Sequence, residues 1–595
     1  MSQPAAFDRP LPPARAPFAL LAFRLLVIAA VIAVVDVAAA LGHARHAGWV
    51  AAELGLPLGL AAAAAVRRLP AALRDPAAPA HPAAPVRLAL LLPAACVLFL
   101  ITLLPLLATP LPPFDDYLNH LARIHLIALG DAPSPLHTFY AIHWRPLPNL
   151  AMDIVVPPLA RVIGTFAAGK VFLICSRLML LTGPFAIHRA LYRDWSLGPL
   201  AAALFVENYI MKMGVVNYVF GLGLALFGIA AWIALRERHA VLRGLVSCVF
   251  VLALFFAHLV ALGVYGLAIG GYELSLLLAR PAERRRLPVI AATLILPVLP
   301  IVPLLAIGWG GERALTPFGW GGVHARLDGL RMLVESYAPR LDLVFLLGLA
   351  AGLLWAMRRR AVSLPASGWA FLAVAGAVFL VIPNWAQDSW GAAARLPTGI
   401  VLVLCGMLRW DLPSPRARGT FLAILTALLL LRTGTAEAGY LRYDRVRRDM
   451  AAALEFVPPG SRILVAEDYA GEDDTMQAVR ELPCLAMITR ASLVSLEYSD
   501  PVQQVLIVRP PFRAATGGFS DDPIPLDDLL HPPAHDAAPR ALARDPSGRI
   551  YWRDWPKTYD YVVVLNRREG GSPDPVRLRW LYGAGRVQLF QVRPG

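Results

Sequence analysis

The stretch LALLLPAACVLFLITLLPLLATPLPPFDDYLNH, residues 88–120, changes character near its end. Its first part, residues 88–109, is apolar and long enough to cross a hydrocarbon core, which takes about 20 helical residues. Two prolines then precede two adjacent aspartates, Asp115 and Asp116. An apolar helix that ends in prolines and carboxylates predicts that the chain leaves a bilayer at this point.

The composition of the whole chain is typical of integral membrane proteins. Of its 595 residues, 57% are hydrophobic and only 16% are charged, against about 25% in a typical soluble protein. The net charge of +14 comes almost entirely from arginine, since lysine occurs only at Lys170, Lys212 and Lys557. Arginine collects in the cytoplasmic loops of membrane proteins. We therefore expect membrane lipids, and no nucleic acid, among the partners of this chain.

Further apolar segments predict an α-helical polytopic membrane protein with about thirteen transmembrane helices. The predicted spans lie at residues 18–41, 48–66, 88–109, 169–190, 196–212, 214–234, 244–262, 263–279, 288–308, 342–357, 365–383, 396–409 and 419–434. The long loop at 110–168 separates the third span from the fourth and is expected to contain interfacial helices.

Arginine-rich loops alternate with arginine-poor ones, as the positive-inside rule requires when the N-terminus is cytoplasmic. The arginine-rich loops contain Arg67, Arg68 and Arg74; Arg236, Arg238 and Arg243; Arg280, Arg284, Arg285 and Arg286; Arg358, Arg359 and Arg360; and Arg409, Arg416 and Arg418. An odd number of spans then places the loop at 110–168 and the C-terminus on the opposite side of the membrane.

Four regions follow from these segments. Residues 1–68 contain two predicted N-terminal helices, and residues 69–87 form a cytoplasmic linker rich in proline and alanine. Residues 88–435 form the transmembrane core. Residues 436–595 lack long apolar runs and predict a small α/β domain outside the membrane. Its strand-like runs are RILVAED (462–468), QVLIVRP (504–510), YDYVVVLN (559–566) and VQLFQV (587–592).

The residues after the aspartates have the pattern of an amphipathic helix. At about 100° per residue, Asp116, Asn119, His120 and Arg123 share an arc of about 100°. We expect this helix to lie in the outer interface, with its polar face toward a cavity above the membrane. The alternative is that an aspartate serves only as the N-cap of the helix. A cap needs one carboxylate, and Asp115 could supply it while Asp116 lies on the polar face.

Three segments of the chain resemble the GT-C superfamily of membrane glycosyltransferases, which includes protein O-mannosyltransferases and lipid A aminoarabinose transferases. They are DDYLNHLAR (115–123), GVVNYVFGLGLALF (214–227) and DSWGAAARLP (388–397). The resemblance implies a core of many helices, an acidic residue or pair in an early outer loop, and often an extracytoplasmic C-terminal domain. It makes residues 110–168 the catalytic loop. Here that loop follows the third predicted span rather than the first, so the helices before residue 69 would be additions.

The resemblance also implies the chemistry. GT-C enzymes move a sugar from a polyprenyl-phosphate carrier to an acceptor outside the cytoplasm. The reaction needs a carboxylate that takes the acceptor's proton and cations that hold the leaving phosphate. Asp116 is the expected base, and Asp115 is the alternative. The pair could also bind a divalent metal ion through its oxygen atoms, and the sequence leaves metal use open.

Polar residues near the outer ends of the spans are candidates for substrate binding. Arg395 and Lys212 are expected to hold the phosphate. The further candidates are His120, Arg123, Asp388 and His143.

Several of these candidates have a plainer interpretation. Arg395 could pair with Asp388, and Lys212 could extend to the membrane interface or pair with Glu207. His143 could simply pack in its loop. His258, within an apolar span, is interpreted as a core histidine bonded to a neighbouring carbonyl.

The predicted function is a glycosyltransferase of a bacterial inner membrane, with a periplasmic C-terminal domain and inversion at the anomeric carbon. The acceptor would be a glycan, a lipid or a protein. The alternatives are a transporter or lipid flippase, and an inactive GT-C-like scaffold. Transporters often show inverted repeats and charges near mid-membrane. This sequence shows no repeat, and its candidate charges collect at one face.

Overall fold

The computed structural model describes residues 86–237, 239–309, 319, 322–386, 389–468, 474–500, 503–517, 522–532 and 550–593. The two predicted N-terminal spans and the proline-rich segment up to residue 85 lie outside the described residues, as do Arg238 and Asp388. The described part of the chain is mostly helical.

The helices begin with the apolar segment that opens the described chain. In order they are α1 (Leu88–Ala108), α2 (Tyr117–Leu129), α3 (Leu136–Phe139), α4 (Ala151–Ile163), α5 (Thr165–Tyr192), α6 (Tyr209–Lys212), α7 (Val216–Ala234), α8 (Ala240–Ala257), α9 (Leu259–Ala279), α10 (Leu287–Ile295), α11 (Ile301–Trp309), α12 (Gly322–Met332), α13 (Pro339–Arg358), α14 (Ala366–Val381), α15 (Ala392–Met407), α16 (Pro415–Leu454), α17 (Leu485–Arg490), α18 (Leu526–Leu530) and α19 (Trp555–Thr558). Within these residues, 8 helical segments are long and apolar enough to cross a membrane: α1, α5, α7, α8, α9, Ala282–Gly308, α13 and α16. The expectation of a polytopic membrane protein is confirmed at this level.

The apolar run at 196–212 predicted a span, and the structure does not form one helix there. A 3-10 helix, Gly198–Phe205, precedes the one-turn helix α6. Asn208 caps α6, since its side-chain oxygen accepts a hydrogen bond from the helix backbone at 3.0 Å. Glu207, just before it, binds Arg177 at 2.7 Å. The apolar residues predicted a continuous helix. The hydrogen bonds of these two polar side chains instead favour a break in the helix and a new turn.

Helices α8 and α9 meet at His258, rather than at the predicted boundary between residues 262 and 263. The His258 backbone is extended (φ −172°, ψ 129°), which ends α8. Its ring Nδ1 accepts a hydrogen bond from the backbone nitrogen of Val260 at 3.1 Å and so caps α9. We expected the His258 ring to bond to a neighbouring carbonyl. It instead accepts a hydrogen bond from a backbone nitrogen at the start of α9.

Helix α16 runs through the predicted domain boundary at residue 436. It has 40 residues and is about 60 Å long, twice the roughly 30 Å of a hydrocarbon core. Ala436, Tyr440 and Tyr443 are all buried, so the second half of the helix packs against the rest of the protein. A continuous helix, and not a linker, thus joins the membrane part to the C-terminal region.

The C-terminal region contains a small mixed sheet, as predicted. The strands of the described chain are β1 (Tyr140–Ile142), β2 (Val362–Ser363), β3 (Trp385–Ala386), β4 (Ser389–Trp390), β5 (Arg409–Trp410), β6 (Arg462–Glu467), β7 (Leu493–Val494), β8 (Leu506–Val508), β9 (Ile524–Pro525), β10 (Tyr561–Leu565), β11 (Leu578–Ala584) and β12 (Val587–Val592). The sheet has the order β11-β12-β10-β6-β7, with β9 also pairing β6. The pairs β6–β10, β6–β7 and β6–β9 are parallel, and β12 pairs antiparallel with β10 and β11. Both central strands, β6 and β10, are almost entirely buried, which explains their apolar sequences.

One predicted strand of this region belongs elsewhere. β8 pairs antiparallel with β1, in the loop between α2 and α4, and Ala141 lies opposite Ile507. Phe139 packs on Phe512 in the same place, with ring centroids 4.9 Å apart. The C-terminal region is therefore attached to the loop at 110–168 as well as to α16.

Candidate active site at the aspartate pair

A tight turn holds the backbone of the aspartate pair. The backbone nitrogen of Asp115 donates to the carbonyl of Lys212 at 2.8 Å, and that of Asp116 donates to the carbonyl of Met213 at 3.2 Å. Gly214 follows with φ +78°, and a Cβ atom on it would lie 2.6 Å from the Asp116 nitrogen. Glycine suits a left-handed position this close to another backbone. The connection between α6 and α7 therefore fixes the start of α2.

Asp116 immediately precedes α2, but its side chain does not cap the helix. Its backbone is already helical (φ −76°, ψ −4°), and its carboxylate accepts no hydrogen bond from the described first turn. Both aspartates are half-buried. The N-cap alternative therefore does not explain Asp116.

Arg395, in the first turn of α15, interacts with Asp116. The arginine is only 9% exposed, and its guanidinium lies within electrostatic reach of the Asp116 carboxylate. Its Nε atom is buried and has no hydrogen-bond partner among the residues that the structure describes. A buried N–H without a partner costs free energy, and more so on a charged group. This arrangement suits an anionic ligand.

Three helices begin beside Arg395. The hydroxyl of Tyr218, in the first turn of α7, donates to the carbonyl of Arg395 at 2.7 Å. The Tyr218 ring contacts the ring of His258, just before α9, with centroids 5.2 Å apart. The N-terminal ends of α7, α9 and α15 thus meet in one place. Helix N-termini carry partial positive charge and favour anions.

A second buried cation, Lys212, lies near Asp115. Lys212 is 4% exposed, and its amine lies 5.4 Å from the ring centroid of Tyr209 and 5.7 Å from that of Tyr337. The Tyr337 hydroxyl donates to the carbonyl of Pro113 at 3.0 Å. Burial raises the pKa of Tyr337 well above its usual value, and the charge of Asp115 adds to the shift. The aspartate pair therefore has Lys212 near one member and Arg395 near the other.

Glu207 does not pair with Lys212, contrary to the plainer interpretation of that lysine. Its carboxylate binds Arg177 at 2.7 Å and the hydroxyl of Tyr440 at 3.2 Å. Its backbone carbonyl accepts a hydrogen bond from Arg432. The partners of Glu207 lie on α5 and α16. They therefore fix the start of the short segment, residues 207–212, that ends in Lys212.

The polar face of α2 is buried, whereas we expected it to face a cavity. Arg123 is 1% exposed, and its guanidinium binds Asp153 of α4 at 2.5 Å and the ring of His120 at 2.6 Å. Burial and the charge of Arg123 lower the pKa of His120 well below its usual value. Asn119 contacts the C-terminal region. His120 and Arg123, both predicted to bind substrate, therefore face protein, because the C-terminal region covers this side of the helix.

The remaining candidates lie apart from this cluster or outside the described residues. His143 is exposed, and its backbone nitrogen donates to the carbonyl of Val505 at 2.7 Å, where the loop meets the C-terminal region. Asp388 lies outside the described residues, so its expected pairing with Arg395 has no structural description. Trp385 and Trp390, on either side of it, lie opposite each other on β3 and β4.

Several buried residues of the cluster were not predicted as site residues. Tyr218 lies in residues 214–227, one of the segments that resemble GT-C enzymes. The one further signal in the sequence was its polar hydroxyl within an apolar helix. Asp153 carries the same kind of signal, because it is a lone acid among apolar residues of α4. Glu481 and Glu497 carry no such signal, since acids are common in the C-terminal region.

No group of three or more His, Cys, Asp or Glu side chains that could hold a metal ion occurs in the described part of the chain. Asp115 and Asp116 supply two neighbouring carboxylates. A metal site built on them would need further oxygen ligands, because divalent cations such as Mg²⁺ and Ca²⁺ take six or more.

Comparison of the chain with models of known protein families finds no match. Comparisons with curated proteins and with solved structures find none either. The resemblance to GT-C enzymes therefore rests on the three short segments and on the general architecture.

Proposed function

We propose that this protein is a membrane glycosyltransferase that moves a sugar from a polyprenyl-phosphate carrier to a glycan, lipid or protein acceptor. The observation that carries the proposal is the burial of Arg395 where three helices begin, in electrostatic interaction with Asp116. A carboxylate can take a proton, and a buried guanidinium can bind phosphate. Sugar transfer from a phosphate carrier requires both groups in one site.

In the proposed reaction, an oxygen or nitrogen of the acceptor attacks the anomeric carbon of the sugar. The bond between that carbon and the phosphate oxygen breaks, and its electron pair leaves with the phosphate. Asp116 takes the proton of the attacking group. Arg395 and the N-terminal ends of α7, α9 and α15 stabilise the charge that develops on the phosphate. Attack from the side opposite the phosphate inverts the anomeric carbon.

Lys212 is assigned to the same phosphate as a second cation. The rings of Tyr209 and Tyr337 hold its amine by cation–π contact, at 5.4 and 5.7 Å. Its backbone carbonyl binds the nitrogen of Asp115, so the lysine and the aspartates keep a fixed relation.

We place the aspartate pair on the periplasmic side of a bacterial inner membrane, with a cytoplasmic N-terminus and a periplasmic C-terminal region. Helices α7, α9 and α15 support this orientation, because each begins near the pair and ends just before arginines. The arginines that follow are Arg236, Arg280 and Arg409. Arginine at the far end of all three helices favours a cytoplasmic location for that end.

The test is transfer by the purified protein in lipid vesicles, with a panel of radiolabelled polyprenyl-phosphate sugars. The wild type should transfer sugar from at least one donor. Arg577→Gln, which removes a surface ion pair with Asp574 at 3.3 Å, is the control and should be as active as the wild type. Movement of labelled lipid across the bilayer without sugar transfer would favour a flippase. Absence of both would favour an inactive scaffold.

A further inference from the structure

The face of α2 that carries Asn119 and Arg123 is covered by the C-terminal region. The side-chain nitrogen of Asn119 lies 3.4 Å from a carboxylate oxygen of Glu481 and 3.4 Å from the carbonyl of Leu496. With its amide turned over, Asn119 would instead contact Glu497 at 3.3 Å and the nitrogen of Tyr498 at 3.0 Å. In either orientation, its partners lie between residues 481 and 498.

Arg123 of α2 and Glu497 of the C-terminal region both lie at this contact, and each is almost completely buried. The arginine uses its Nε and Nη2 atoms to bind Asp153. Its Nη1 atom and the Oε2 atom of Glu497 have no hydrogen-bond partners among the described residues. The two side chains nevertheless interact electrostatically.

The same guanidinium also interacts with Asp116. Asp116 is joined to α2 through its backbone carbonyl, which accepts a hydrogen bond from the nitrogen of His120 at 3.0 Å. On the opposite side of α2, Tyr117 and Leu121 pack against Gly169 of α5. The helix is thus held between the membrane part and the C-terminal region, and Asp116 moves with it.

We propose that Glu497, acting through Arg123, is a positioning residue for Asp116: contact of the C-terminal region with α2 holds the base where it meets the acceptor. The inference rests on the proposed role of Asp116 as the base. Glu497 itself touches neither reacting group, so its loss should affect the chemical step and not the binding of the donor phosphate at Arg395.

The kinetic test compares Glu497→Ala and Arg123→Met with the wild type. Displacement of a catalytic group by about 1 Å can cost about 100-fold in rate, so we expect kcat to fall at least 10-fold. KM for the donor should stay within about twofold. Glu497→Gln keeps the shape of the side chain, and Arg123→Lys keeps its positive charge. Both variants should retain much of the wild-type kcat. Asp560→Asn removes an ion pair with Arg462 inside the C-terminal sheet, at 2.8 Å, and should leave kcat unchanged.

A second readout does not depend on activity. Cys484 is buried beside Glu481 and Glu497. Its reaction with a maleimide, followed by mass spectrometry, should be slow in the wild type and at least about 10-fold faster in Glu497→Ala and Arg123→Met, because the contact with α2 opens more often. Cys405, buried in α15, should stay protected in all variants and serves as the internal reference.

Faster labelling together with a lower kcat supports the proposal. An unchanged kcat overturns it, whether or not labelling changes, and so does a rise in KM alone. If the alanine and methionine variants do not fold, hydrogen exchange in the wild type decides, since the amides of α2 and of residues 481–498 should open together. Independent opening of the two overturns the proposal. A wild type without transfer from any donor would instead overturn the proposed function, while labelling would still report the contact.

Discussion

Gly214 packs directly against the backbone of Asp116. A Cβ atom on the glycine would lie 2.6 Å from the nitrogen of Asp116 and 2.9 Å from that of Tyr117. The glycine also has φ +78°, which side chains disfavour. The turn between α6 and α7 therefore fixes the backbone of the proposed base. The C-terminal region contacts the same helix, α2, through Asn119.

Gly214→Ala should lower both stability and transfer. The left-handed backbone alone costs about 1–2 kcal/mol, and the clash with Asp116 adds to this cost. We expect a lower unfolding midpoint and at least a 10-fold loss of kcat. Gly164→Ala is the matched control, since Gly164 has φ +83° with nothing within 4 Å of a new Cβ. Equal losses in the two variants would show that crowding of Asp116 is unimportant.

Asp116→Asn separates catalysis by the carboxylate from a purely structural role of this residue. Loss of a general base typically costs about 10²–10⁴ in rate, whereas asparagine caps helices about as well as aspartate. We expect a loss of that size in kcat with an unchanged unfolding midpoint. Asp115→Asn should be milder unless both carboxylates bind one metal ion. If Asp116→Asn kept more than about half of the transfer rate, where chemistry limits turnover, Asp116 would not be the base.

Arg395→Met should abolish transfer without lowering stability. Its buried Nε lacks a partner among the described residues, so removal of the charge relieves a desolvation cost. We expect at least a 100-fold loss of transfer and an unfolding midpoint at or above that of the wild type. Arg432→Met is the comparison, because Arg432 is buried and binds Asp342 at 3.0 Å. That variant should unfold at a lower temperature, and a fall of the same size in Arg395→Met would argue for a structural arginine.

The stability of the protein should depend on pH through Glu497. Burial raises the pKa of Glu497 to about 8, although Arg123 and Cys484 oppose the shift, and buried Tyr140 also faces it. A carboxyl with a raised pKa in the folded state holds its proton more tightly there than in the unfolded state. Its contribution to stability is therefore fully present below the unfolded pKa of 4.5 and is lost as the pH rises through about 8.

Glu497→Gln should reduce this dependence, because an amide stays neutral throughout. The unfolding midpoint of the wild type should fall more steeply than that of the variant between about pH 5 and pH 8. Thermal unfolding in detergent, followed by intrinsic fluorescence, measures both slopes. Parallel curves would mean that Glu497 does not titrate in this range.

Reporter fusions should give alternating locations along the chain. Fusions after residues 75, 130, 240 and 460 are expected to report inside, outside, inside and outside, because arginine-rich loops stay in the cytoplasm. A cytoplasmic signal at residue 130 would place the aspartates away from the proposed donor and contradict the mechanism.

The sequence predicted the features that depend on local pattern. Alternation of apolar segments predicted a helical membrane protein, and strand-length runs predicted β6, β10 and β12. Arg395 and Lys212 were identified because a cation in or beside an apolar segment has a cost that requires a reason. The structure places each of them near one aspartate.

The features that were missed depend on contacts between distant parts of the chain. β8 resembles any other strand, and nothing in its residues indicates that it pairs with β1, between α2 and α4. The sequence did not indicate that the C-terminal region covers the polar face of α2. Glu481 and Glu497 lie in a region where acidic residues are common. The fall in hydrophobicity near residue 436 predicted a new region, but it could not show that one helix, α16, runs from the membrane part into it.

The contact between Asn119 and Leu496 spans 377 residues of sequence and therefore orders the assembly of the protein in time. At roughly 5–20 residues per second, about 20 to 75 s separate the synthesis of the two ends. During that interval α2 exists without its cover, and Arg123 lacks the acid that the C-terminal region supplies. The aspartate pair of a nascent chain is thus synthesised well before its surroundings are complete. Maturation of the proposed site is a late event that awaits the folding of the C-terminal region onto α2.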